Sequence, residues 1–465
     1  MLNPLPASKW NYATAAHLWN RAGFGGRPEE IERLARLSPD EAVAFFVDYE
    51  KIPEDAPRPD WAEPNPERQA RLREIQKMEP GDARREKQQE MQREENRHLQ
   101  EMRGMWLRRM AHTPRPLQEK LTLFWHGHFA TSAVKVREAY FMWRQIDTFR
   151  RLGNGRWREL LEAVATDPAM LLWLDQAQSR KEHPNENFAR EVMELFTLGE
   201  GHYTEKDVSE AARAMTGWSL DRPTESYRFR PFLHDNGEKT FLGRTGYFSG
   251  LDILDIIVAQ PQAATFITGK LWKFFGSEDA SPDLVAALAD VFRQGDGNFK
   301  PLLRAMFRSE EFYGETVVRS QIKSPTQWLV GSVRLLERPM PVPLAAADMI
   351  KKLGQDLLMP PNVKGWDGGL SWITTATLLD RYNDAATLVM GGMEPVDVSR
   401  LVSQEERSDK ARLLAGLERR FLQARLSDKQ RGVLRDYLER HEDLSDNDIR
   451  HAIRLLMSTP DYQLT

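Results

Sequence analysis

Three stretches of this chain, LLEAVATDPAML, LLRAMFRSEEFY and AIRLLMSTPDYQ, share one pattern. An amphipathic helix runs into a Ser or Thr cap, an acid or proline follows, and an apolar residue comes next. Such a cap takes a backbone N–H of the segment that follows, so one helix stops and a short one starts. The copies are not spaced at the regular 30–50 residues of a solenoid. The pattern predicts many short helices packed around a shared core.

The rest of the chain agrees. A helix is predicted over 11–22, stopped by Gly23, Gly25 and Gly26. Pro28 suits the first position of the next helix, and Ser38-Pro39-Asp40-Glu41 reads as cap, helix-start proline and acidic first turn. His17 is read as structural. Residues 53–66 form a proline-rich connector. From Glu67 to His112 the sequence is helical and charged, broken at Pro80-Gly81. Its centre, ARREKQQEMQREENRHLQ, has almost no apolar face, which predicts a solvated, protruding helix. Leu99, Met102, Trp106 and Met110 then recur at helical spacing, as packing residues. One segment breaks the helical rhythm. Tyr227–Leu233 alternates as a strand does, HDNGEK turns and KTFLG returns, which predicts one β-hairpin near 225–245.

The expected fold is therefore mainly α: a large multi-helix domain with a small β-hairpin insertion and a protruding charged helix. The expected divisions are 1–66, N-terminal helices and connector; 67–112, the charged segment; 113–375, the core domain; and 376–465, helices packing on that core. A chain of 465 residues can bury such a core. The net charge of −4 argues against a nucleic-acid partner. No apolar run reaches the length of a transmembrane segment. The first residues lack the basic start and apolar core of a signal peptide. That predicts a cytoplasmic protein, or a periplasmic one if it is exported together with a partner.

The absence of cysteine excludes disulfides, thiolate catalysis and iron–sulfur clusters. A metal here must use His, carboxylate or backbone ligands, as Zn, Fe or Mn can. No Walker A loop, G-x-S-x-G, H-E-x-x-H or dinucleotide fingerprint occurs. Three constellations carry possible chemistry. His126-Gly127-His128 chelates only if the helix ends or distorts at Gly127, because i,i+2 residues on a helix point roughly 200° apart. The other reading is two structural histidines, one buried and one partly exposed. In NENFAREVMELFTLGEGH, Asn187, Glu191 and Glu194 form one stripe, Arg190 an adjacent ion-pair row, and His202 follows a short loop. A solvated face is the alternative. His234-Asp235 is either a chelating pair or an Asx turn. Separately, the Trp366–Trp372 loop can stack a sugar ring or anchor itself on the core.

The stretches HLWNRAGFG, KLTLFWHGHFATS, NENFAREVMELFTLGEGHYTEKDVSEAARAMTGW, HDNGEKTFLG, ATFITGKLWKFF and PPNVKGWDGG resemble a bacterial family filed as domain of unknown function 1800. The resemblance covers nearly the whole length and implies no named activity. It implies that His126, His128, Glu191, Glu194, His234 and Asp235 sit in family motifs, and that the charged helix does not. Many relatives look exported, and many are encoded beside a family resembling alkaline phosphatases or sulfatases, which implies a partner protein of that kind. Two functional expectations follow. The first is a metal-dependent enzyme, hydrolytic or oxidative. His126, His128, His202, His234 and Asp235 supply ligands, and Glu191 or Glu194 acts as general base on a bound water, whose pKa zinc lowers to about 7. The second is a binding or assembly protein, with the charged helix docking a partner and Asn187, Arg190, Trp366 and Trp372 contributing to binding.

Overall fold

The computed structural model describes residues 2–55, 57–391 and 394–465. Ser38 shows how its helices are made. The Ser38 Oγ accepts the Glu41 N–H at 3.3 Å, Glu41 returns to the Ser38 N–H at 2.9 Å, and Pro39 opens the helix Pro39–Val47. Two orphan N–H groups are satisfied and a third is absent by construction.

All three copies of the recurring pattern fold as a helix, a cap and a short helix. Ser309 Oγ accepts the Phe312 N–H at 3.3 Å and joins Phe299–Arg308 to the 3-10 turn Glu311–Tyr313. Thr459 does the same for Tyr462 at 3.3 Å, between Asp446–Met457 and Pro460–Gln463. In the first copy the capping atom belongs to the acid. Asp167 Oδ1 accepts from Ala169 and Met170, while the Thr166 hydroxyl turns back to the Glu162 carbonyl. Phe312 and Tyr462 are both buried.

One continuous apolar core extends from Ala15 to Tyr462. Its hub is the helix Pro116–His128, buried at every position except Gly127. It packs against Tyr12–Ala22, Pro39–Val47, Asp82–His112 and Ala139–Leu152. A helix buried on all sides must satisfy its polar residues internally. Glu119 accepts from Arg109 at 2.5 Å, Arg150 at 2.7 Å and the Trp106 indole at 2.9 Å. Lys120 donates to the Gly23 carbonyl at 2.9 Å.

The charged segment folds as Pro66–Lys77 and the 31-residue helix Asp82–His112. The first turns of the longer helix are exposed, and Leu99, Met102, Trp106 and Met110 are buried. Among the described residues no helix is long and apolar enough to cross a membrane.

The strands pair otherwise than expected. Ser226–Phe229 (β2) turns back onto Trp218–Asp221 (β1), and Lys239–Phe241 (β3) pairs forward with Arg244–Gly246 (β4). Two ribbons replace one hairpin. Pro231 has no N–H to extend the ladder and opens the 3-10 turn Pro231–Leu233. Leu242 and Gly243, at φ of 46° and 77°, make a tight local turn between β3 and β4.

Candidate functional site

The helix Pro116–His128 continues unbroken through Gly127, so its two terminal histidines leave on different sides. The His126 ring is fully buried and lies edge-on to Trp106 and Trp366, with ring centroids 5.5 and 5.4 Å away. Its Nε2 accepts the Leu358 N–H at 3.0 Å. The ring proton therefore sits on Nδ1, which has no acceptor. Burial first, and the nearby Arg103 second, push the His126 pKa down to about 3. His128 stacks on Phe124 and donates from Nε2 to the Phe196 carbonyl at 3.0 Å. Burial and the Lys270 charge hold it near 3 as well. Both histidines are neutral, buried and hydrogen-bonded to backbone.

His126 has a positioning task. Leu358 lies in the left-handed region at φ 66°, and it is held from both sides. Its N–H goes to His126, and its carbonyl accepts the Ala133 N–H at 2.8 Å. Arg103 adds a bond to the Leu357 carbonyl at 2.7 Å and an ion pair to Asp356 at 2.9 Å. The loop that follows then folds back over the helix. Gly365, at φ 82°, lies so close to Gly127 that a Cβ would overlap the Gly127 carbonyl oxygen. The HGH and KGWDGG segments are thus docked backbone to backbone.

This docking shapes a cleft of about 610 Å³. Gly127, His128 and Phe124 line one part, Lys270, Lys273 and Phe274 of the helix Pro261–Phe275 another. Trp366, Asp367 and Trp372 belong to the docked loop. Amides and carboxylates complete the lining: Gln321, Gln327, Gln355, Glu278 and Asp279. Gln355 and Gln327 use Oε1 to accept the N–H groups of Thr326 and Ser324 at 2.9 and 3.1 Å, which leaves the NH2 end of each to offer. Burial, Lys273 and Lys364 together lower the Lys270 pKa, and its ammonium lies 5.3 Å from the Phe266 ring centre.

The glutamate helix comes close to this cleft without forming its wall. Glu186–Glu191 passes into a π-helical turn, Val192–Thr197, whose Leu195 lines the cleft. The Thr197 hydroxyl donates to the Val192 carbonyl, five residues back, at 2.6 Å. Glu194 accepts the Tyr203 hydroxyl at 2.8 Å. Glu191 is half-buried. Burial and Glu194 raise its pKa, while Lys364, on the docked loop, pulls it down. Arg190 is spent on a bidentate pair with Glu205 at 2.7 Å, and Asn187 is exposed.

The expected shared ion site does not assemble. Among the described residues no group of three or more His, Asp or Glu side chains is placed to hold a metal. His126 and His128 diverge, and His202 is exposed on its loop. His234 donates from Nδ1 to the Thr216 carbonyl at 3.0 Å. Asp235 pairs with Arg213 at 2.8 Å and accepts the Gly237 N–H at 2.8 Å, as an Asx turn does. Glu194 is engaged with Tyr203, and neither Glu191 nor Glu194 bonds to these histidines. The reason is local: His126, His128 and His234 each commit one ring nitrogen to a backbone group.

Of the residues that line the cleft, the sequence singles out His128, as a metal ligand, and Trp366 and Trp372, for binding; it does not single out Lys273, Glu278, Gln327 or Gln355. They come from three separate segments, Lys273 and Gln327 in helices and Glu278 and Gln355 in the loops after helices, so no spacing marks them.

The family model described as protein of unknown function, DUF1800, matches residues 17–464. No curated protein and no solved structure matches. A match over almost the full length, which includes the HGH and KGWDGG segments, places this chain in the DUF1800 family.

Proposed function

We propose that the protein binds a polyhydroxylated ligand, a glycan segment, in the cleft between the HGH helix and the tryptophan loop. The observation that carries this reading is the company of Trp366 and Trp372. Indole rings and Phe274 share one cleft with free amide NH2 groups and carboxylates. Flat apolar faces beside planar donors and acceptors suit a ring with C–H faces and hydroxyl edges. The volume is within the range of small-ligand sites. The cleft is also held in advance: His126, Arg103 and the Gly127–Gly365 contact fix the loop, which lowers the ordering cost of binding. The metal-dependent reading has less support: among the described residues no group of three or more His, Asp or Glu side chains is placed to hold an ion, and His126, His128 and His234 each spend one ring nitrogen on backbone.

Calorimetric titration with neutral and amino-sugar oligosaccharides tests the proposal. Saturable binding is expected, weakened about tenfold by Trp366→Ala and measurably by Asp367→Asn. No saturable binding, or binding that both variants leave unchanged, would overturn it.

A further inference from the structure

A second cavity shares no lining residue with the cleft. It is a groove of about 800 Å³ with an apolar floor of Trp19, Leu34, Leu37, Phe45, Ile52 and Val333. It opens into a neighbouring cavity of about 540 Å³ whose lining is wholly charged. Arg27, Arg33, Glu337 and Arg400 border both. Apolar and charged surface are thus segregated along one continuous feature.

The charges are not evenly matched. Every carboxylate here is already engaged by arginine. Glu30 meets Arg27 at 3.0 Å and Arg334 at 2.8 Å. Glu29 meets Arg420 at 3.5 Å, and Glu32 meets Arg419 at 2.6 Å. Glu337 meets Arg420 at 2.8 Å and Arg400 at 3.7 Å. Arg33 and Arg36 are exposed and meet no carboxylate within ion-pair distance among the described residues. In the apolar half, Arg27 and Arg338 each keep a buried Nε–H with no acceptor. Buried donors of this kind call for an acceptor, and a charged one bonds them most strongly. A positive surplus at one end of an apolar trough complements a molecule with an apolar body and an anionic end.

We propose that this groove binds a single-chain anionic amphiphile, an acyl chain ending in a carboxylate. The chain lies over Trp19, Leu34 and Val333, and the carboxylate lies at the junction marked by Arg27 and Arg33. The site is independent of the glycan cleft.

The probe is dodecanoate, titrated calorimetrically into the full chain below its micellar range. One equivalent is expected to bind. Dodecan-1-ol should bind at least about tenfold more weakly, because it lacks the charge. The double variant Arg33→Gln/Arg36→Gln should weaken dodecanoate several-fold and flatten its salt dependence. Leu37→Asp, also at an exposed position, should weaken it through the apolar half. Three results would overturn the proposal: no saturable binding below about 1 mM, equal affinity for the alcohol, or affinity unchanged in both variants. An acidic hexapeptide binding as tightly as dodecanoate would also overturn it, in favour of ion exchange at the arginines.

Discussion

At the residue scale the histidines are the clearest case of motif chemistry turned to structure. His126 and His128 both titrate near 3 in the folded chain, against about 6.5 unfolded. A base with a lowered folded pKa is neutral when native, so its contribution is fully present above pH 6.5. It is lost as pH falls below 6.5, where the unfolded chain takes up the proton first. By pH 5 each histidine should remove about 2 kcal/mol. Urea unfolding at pH 7.5, 6 and 5 should show this fall, and His128→Asn should show a shallower one with lower stability at pH 7.5. Equal pH slopes in the two proteins would refute the assignment. The sequence marked both residues but not their roles. A histidine that accepts from a backbone N–H 232 residues away carries the same letters as a metal ligand. Which it becomes depends on the packing of distant segments.

Between elements, glycines decide how close the segments come. Gly127 and Gly365 face each other but have opposite requirements. A Cβ at 365 would meet the Gly127 carbonyl and demand a positive φ, whereas a Cβ at 127 meets nothing within 4 Å. Gly365→Ala should therefore cost about 2 kcal/mol or more and impair cleft binding. Gly127→Ala should be neutral or stabilise by up to about 1 kcal/mol, since alanine favours a helix. Thermal melts of the two variants test the pair, and a reversed order would contradict the docking described. Helices and their caps were legible here because both signals are local: Ser38, Ser309 and Thr459 act on the next few residues. Strand partners were not. The alternation over Tyr227–Leu233 says that a strand exists, only Ser226–Phe229 forms it, and Trp218–Asp221, whose pattern is too short to stand out, is its partner.

For the whole molecule, the charged segment is tied in by a buried ion cluster. Arg68 reaches Glu95 at 3.5 Å, Glu138 at 3.4 Å and Glu225, and Gln69 bonds Glu225 at 2.6 Å. Four segments meet there: Pro66–Lys77, the long helix, the start of Ala139–Leu152 and the β1–β2 turn. Burial raises the pKa of Glu95 and Glu138 even beside the arginine. Arg68→Met would leave three carboxylates buried around an apolar side chain, with an expected cost of about 3–5 kcal/mol in chemical denaturation. A loss below about 1 kcal/mol would mean that the cluster is solvated. None of this was visible in a run of charges, which reads as a solvated face until its partners are known.

The π turn at Val192–Thr197 bears on how such a chain can change by insertion and deletion. A π turn spends one residue more than an α-helix needs for the same rise. Losing that residue would leave a helix of nearly identical composition, but everything after it would be rotated by about 100°. The Phe196 carbonyl would swing away from His128, and Gly199, where a Cβ would meet the Phe266 ring, would be displaced from it. A relative with that deletion would keep the residue types of the motif and lose both the His128–Phe196 bond and the place of Leu195 in the cleft.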